Sequence, residues 1–143
     1  MFVLKKNPSF KKEVEVFLPS DSKGGFDKST LTVEYRLASR DEFLGETKDE
    51  EVTEYIADAD GIAREVTHTK TKIKKEGLIH KTSYERLKTE IVGFSDFVDE
   101  EGAQIEFSQD SLDALLQVVQ FLSAADTKWW ESINKKSELK AKN

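Results

Sequence analysis

The apolar positions of this chain change their period after about residue 38. Val14, Val16 and Leu18 alternate with Glu13, Glu15 and Phe17, and Leu31, Val33, Tyr35 and Leu37 alternate with Thr32, Glu34 and Arg36. Period-two alternation suits a sheet with one face on a core and the other in water. It predicts an N-terminal β-hairpin over about 12–38, joined by the mobile Pro19–Ser29 connection around Gly24-Gly25. No G-x-x-x-x-G-K-[ST] spacing follows those glycines, so they read as flexibility and not as a phosphate loop.

After Ser39 the spacing looks helical. Ser39-Arg40-Asp41-Glu42 and Thr47-Lys48-Asp49-Glu50 have the form of capping boxes. Val52, Tyr55, Ile56 and Ala59 then fall at i, i+3, i+4 and i+7, and Ile62, Val66 and Ile73 can prolong the stripe. Acidic residues crowd the start of this segment and Lys70, Lys72, Lys74 and Lys75 its end, as a helix macrodipole prefers. Gly77 suits a stop. Thr82-Ser83-Tyr84-Glu85 opens a further predicted helix that buries Tyr84, Leu87 and Ile91 and ends at Gly93. Phe94 to Phe107 reads as a second short hairpin, near residues 96–107, turning at Asp99-Glu100-Glu101-Gly102. Ser108 caps a helix carrying Leu112, Leu115, Leu116, Val119 and Leu122, and Asp126 caps a last one carrying Trp129, Trp130 and Ile133.

The expectation is therefore an α+β, mainly helical single domain spanning residues 1–143. It has the N-terminal hairpin, a helical part over about 39–139 and a polar C-terminal tail. Val52, Ile56, Leu87, Ile91, Leu115, Leu116 and Val119 would share one core.

Composition adjusts this picture in three ways. The 37 % apolar and 35 % charged fractions allow one core under a heavily charged surface. No apolar run approaches the roughly 18 residues of a membrane span, and the start resembles no secretory signal, so the expected setting is cytoplasmic. The absence of cysteine removes disulfides, thiol nucleophiles and thiolate metal sites. The net charge of −6 is uneven, since residues 89–127 contain no Lys or Arg at all. That balance argues against nucleic-acid binding, and the basic stretch Arg64–Lys88 holds only one aromatic, Tyr84.

Candidate chemistry is sparse. His68 and His80 stand far apart with no carboxylate at ligand spacing. Aligning Gly102 or Gly61 with the glycine of a calcium loop puts Phe97 and Ser108, or Ile56 and Thr67, where carboxylates are required. The Ser-x-x-Lys spacings at Ser20, Ser132 and Ser137 are those expected of a chain rich in both residues. The expectation is no catalytic residue, no metal and no cofactor.

Trp129-Trp130 stands out. Neighbours on a helix project about 100° apart, so both rings can hardly enter one core. Either one ring binds a partner, as Trp often does at interfaces, or the second lies flat along its own domain. The partner-binding candidates are Trp129, Trp130 and Ile133, with Lys128, Glu131, Lys135 and Lys136 as a charged rim.

Three stretches carry a family resemblance. They are Val33-Glu34-Tyr35-Arg36-Leu37-Ala38-Ser39-Arg40-Asp41-Glu42-Phe43, then Ile91 to Ser108, then Leu115-Leu116 with the aromatic helix and the terminal Lys142-Asn143. In this order they resemble the tail assembly chaperones of long-tailed bacteriophages and their prophage relatives. The chain departs from that pattern at Phe94, where Trp is usual, and in a longer segment from Gly61 to Lys81. The resemblance implies a non-enzymatic protein of the host bacterial cytoplasm, absent from the mature virion. It would hold the tape measure protein soluble while the tail tube assembles, with the tail tube protein as another partner. Apart from the resemblance, a further copy of the chain itself is a candidate partner. Neither nucleic acid nor membrane is implied. The alternative is a structural tail or head–tail joining protein that stays in the particle, and a third reading is a metal-dependent enzyme using the carboxylates from Asp96 to Glu101.

Overall fold

The computed structural model describes residues 1–3, 6–21 and 24–134. In chain order the elements are β1 (Ser9–Pro19), β2 (Phe26–Arg36), α1 (Arg40–Leu44), β3 (Gly45–Ala57), β4 (Ala63–Glu76), a 3₁₀ turn at Leu78–His80, α2 (Ser83–Glu90), β5 (Ile91–Ser95), α3 (Gln109–Leu116) and α4 (Val119–Ile133). They form two compact units, one of residues 1–38 and 82–143 and the other of residues 39–81.

In the first unit the predicted hairpin is present. β1 and β2 pair antiparallel with Val14 opposite Leu31 and Phe10 opposite Tyr35, and β5 joins the free edge of β2. The inner face of the hairpin buries Val14, Val16, Leu31, Val33 and Tyr35. Against them the helices bring Leu87, Leu112, Leu115, Leu116, Phe121, Ala125 and Trp129, and β5 brings Ile91. Thr82 caps α2, its hydroxyl accepting from the Glu85 amide, and Ser108 caps α3 in the same way through Ser111. α2 ends at Glu90, before Gly93, because Ile91 and Phe94 enter the β2 ladder. α3 stops at Leu116, and a single fifteen-residue α4 runs on through Asp126, which is no cap.

The predicted second hairpin shrinks to one bridge, Val98 opposite Gln104. Its turn is held by the Asp99 carboxylate, which accepts from the Glu101 and Ala103 amides at 2.9 and 3.0 Å. Phe94 packs edge-on against both Phe97 and Phe107, with ring centroids 5.2 and 5.3 Å apart, and so closes this segment on β5.

The second unit corrects the helical expectation. Ser39 and Glu42 do form a reciprocal capping box on the five-residue α1, but the chain then becomes a long antiparallel ribbon, β3 against β4. Its tip is an Asx turn: Asp58 Oδ1 accepts from the Asp60 and Ile62 amides at 3.0 Å, and Gly61 takes φ 77°. Val52 and Ile56 belong to this ribbon, and Ile56 is 51 % exposed; Val119, at the start of α4, is 70 % exposed, so none of the three joins the common core. Strands account for 43 % of the described residues and helices for 30 %. The fold remains α+β, but it is not mainly helical.

The cause lies in the same residues. Positions 52 and 56 share a face in a strand as well as in a helix, because their spacing is even. Thr47, Val52, Thr53, Ile56, Val66, Thr67, Thr69, Thr71 and Ile73 are β-branched and favour the pleated surface. The acid-first, lysine-last order complements a strand pair as well as a dipole. Lys72 meets Glu50 at 2.9 Å and Lys74 meets Glu46 at 3.3 Å across the ladder.

Candidate partner-binding surface

On α4, Phe121, Ala125 and Trp129 recur every four residues and face the core. Trp129 is 2 % exposed, whereas Trp130, one position round the helix, is half-buried. The rings nevertheless touch, edge to face, with centroids 4.9 Å apart. Ile133, a turn further on, is 46 % exposed. A buried Trp129 has no surface to offer a partner, so of the three expected residues only Trp130 and Ile133 face outward. Of the expected charged rim, Lys128 and Glu131 pair with each other at 3.6 Å, while Lys135 and Lys136 lie outside the described residues.

The periodicity gave no warning of the polar pair that fixes these rings. Arg86 of α2 is buried, with its guanidinium 5.0 Å from the Trp129 centroid and 4.9 Å from that of Trp130. Its Nη2 and Nε donate to Asp126 Oδ1 at 2.8 and 3.2 Å, and Ser83 Oγ donates to Asp126 Oδ2 at 3.0 Å. Arg86 and Glu90 stand at i and i+4 beside the apolar positions of α2, and the fully buried Glu90 accepts from Arg36 Nε of β2 at 2.5 Å. A charged i, i+4 pair flush against a helix's apolar stripe was the available signal.

The tyrosines are tied into the same frame. Tyr35 O–H donates to the Ala125 carbonyl at 2.9 Å. Burial pushes its pKa far above the ordinary phenol range, and the nearby charge of Asp126 pushes the same way. Tyr84 donates to Asp113, and that hydrogen bond, which holds the phenol proton, raises its pKa too. These groups clamp α2 and α3 to the rest of the unit. Among the described residues no three His, Cys, Asp or Glu side chains gather as a metal site.

The more open feature is an apolar hollow of about 460 Å³. Leu18 of β1, Phe97 and Val98 from the turn after β5, and Leu115, Val118 and Phe121 from the α3–α4 junction line most of it, with Asp96 at its polar side. Leu18 is 37 % and Val98 46 % exposed. The residues after β2 that line it fall in the stretch 89–127, which has no cation. Hydropathy periods alone could not place it, because it joins β1 to segments about eighty or more positions away in the chain.

No helix among the described residues is long and apolar enough to cross a membrane. Compared with protein-family models, with curated proteins and with solved structures, the chain finds no match in any of the three.

Proposed function

We propose that this chain is a tail assembly chaperone of a long-tailed phage or prophage, a non-enzymatic protein of the host cytoplasm. It grips the tape measure protein while the tail tube assembles, with the tail tube protein as a second partner. The observation that carries this reading is the apolar hollow of the first unit, with the carboxylate of Asp96 at its polar side. An amphipathic helix docks through an apolar stripe into such a groove, and flanking Lys or Arg on the helix complements an acidic border. Parts of the first two stretches that resemble the family also meet in this unit, where Val33 pairs with Phe94 and Phe94 packs on Phe107.

Co-expression with the cognate tape measure protein tests it. Wild type should keep that protein in the soluble fraction, and Leu18→Glu with Val98→Glu should let it precipitate while the chain itself melts as before. Failure of the wild-type chain to hold the tape measure protein defeats the proposal. The second reading, a structural tail or head–tail joining protein, is favoured by the open edges of the β3–β4 ribbon. It predicts that the chain is found in purified virions by mass spectrometry, and the chaperone reading predicts that it is not.

A further inference from the structure

The β3–β4 ribbon has only two strands, so each strand is an edge. All fourteen residues of β4 are exposed, as are most of the thirteen of β3. At about 3.3 Å per residue each edge runs roughly 43 Å. Proteins usually blunt such edges with prolines, bulges or very short strands. Neither strand contains proline, and the one register shift lies at the base, between Glu46 and Thr47. An isolated two-stranded ribbon is marginal in water, and a third strand would add both hydrogen bonds and side-chain contacts.

The two edges carry opposite charge. β3 holds five carboxylates (Glu46, Asp49, Glu50, Glu51 and Glu54) and one lysine, whereas β4 holds five cations (Arg64, Lys70, Lys72, Lys74 and Lys75) and two carboxylates. Only part of this is used within the ribbon, through the Lys72–Glu50, Lys74–Glu46, Arg64–Asp58 and Asp49–Thr71 contacts. By strand alternation Lys70 and Lys72 of β4 share a face with Glu50, Val52, Glu54 and Ile56 of β3.

We propose that the ribbon is a self-association surface, on which the β4 edge of one copy pairs antiparallel with the β3 edge of another. This order continues the up–down alternation of the strands and places lysines beside carboxylates at the new seam. It also keeps Val52, Ile56 and Val66 on one continuous face. A two-fold pairing of β4 with β4, or β3 with β3, would instead set like charges opposite one another, which destabilises a ladder. The contact is therefore heterologous: each copy uses one edge and leaves the other for the next, so assembly proceeds to a ring or filament and does not stop at a dimer. The inference does not depend on the chaperone reading.

Sedimentation velocity on the full chain, from micromolar to millimolar concentration, tests it. In about 50 mM salt the wild-type chain should form species larger than dimers, and in about 1 M salt, where the Debye length is about 3 Å, its association constant should fall about tenfold or more. Lys70→Glu with Lys75→Glu makes the β4 edge acidic, and Glu51→Lys with Glu54→Lys cancels the net charge of the β3 edge. Each variant alone should associate more weakly than wild type, and the two mixed should associate through the unaltered acidic β3 edge of the first and the unaltered basic β4 edge of the second. Should a reversed ribbon fail to form, wild-type hydrogen exchange still decides the matter, since amides of residues 45–57 and 63–76 should gain protection as concentration rises. A wild-type chain that is monomeric at millimolar concentration in low salt, a species that closes at the dimer, or amide protection independent of concentration would overturn the proposal.

Discussion

Removing the Asp126 carboxylate should unfold the first unit well before the ribbon is affected. The side chains of Arg86 and Asp126 are 5 % and 16 % exposed, so solvent screens their attraction little. With charge centres about 4 Å apart and an effective dielectric of about 20, the gross attraction is about 4 kcal/mol. The hydrogen bond from Ser83 adds about 1 kcal/mol. Asp126→Ala removes both and leaves the cation of Arg86 in its buried setting, so the expected loss is about 3–5 kcal/mol. In a unit of about 100 residues that lowers the melting temperature by at least about 12 °C. Both tryptophans of the chain lie in this unit, and their emission follows its unfolding without a contribution from the ribbon. Asp126→Asn separates charge from shape, because the amide oxygen can still accept from Ser83. The double variant Arg86→Met with Asp126→Leu should recover much of the loss, since an apolar pair removes the buried charge altogether. A melting temperature for Asp126→Ala within about 3 °C of wild type, less than 1 kcal/mol, would refute the assignment of this pair as the clamp between α2 and α4.

Three other outcomes are expected. Trp129→Ala should cost about 3–5 kcal/mol of stability as a core truncation, against about 1–2 kcal/mol for Trp130→Ala, which loses one ring contact and one cation–π contact; guanidinium unfolding followed by fluorescence and circular dichroism compares them. Because Tyr35 keeps its proton more tightly folded than unfolded, its contribution is complete below the unfolded value of 10.0 and is lost as pH rises beyond it; the alkaline fall in stability should flatten in Tyr35→Phe, whose own cost, the bond to Ala125, is about 1 kcal/mol in neutral solution. Gly45→Ala forces a side chain onto φ 67°, ψ −154°, a region tolerated almost only by glycine, and drives its Cβ into the backbone of Lys75 and Gly77; it should loosen the ribbon base by more than the about 1–3 kcal/mol of backbone strain alone, seen in hydrogen exchange of β3 and β4 with tryptophan emission unchanged.

How far the sequence spoke for itself differed between the two units. The alternation in Val14–Leu18 and Leu31–Leu37 specified a hairpin because one face meets a core, and Leu112, Leu115 and Leu116 specified a helix for the same reason. The segment after Gly45 meets no core, so its few apolar residues obey no burial pattern and Val52 and Ile56 fit either period. Tyr55 was the discriminating residue: a helix would have buried it beside them, and it is 74 % exposed on the opposite face of the strand. The buried pairs Arg86–Asp126 and Glu90–Arg36 were equally obscure, since charged residues on a helix are normally solvated. The apolar hollow needs a tertiary neighbour for every residue that lines it.

The ribbon also has a single doorway. Gly45 and Gly77 pass so close that a Cβ on either would strike the backbone of the other strand. The polypeptide therefore enters and leaves residues 45–77 through one point, the arrangement by which a cassette can be spliced into a loop without reshaping its host. Residues 39–81 then need not have arisen with the remainder of the chain. Lengthening or deleting matched pairs across the β3–β4 ladder would change the reach of the ribbon by about 3.3 Å per pair and leave the doorway untouched. Genomes that carry relatives of this chain should accordingly differ in ribbon length in even steps.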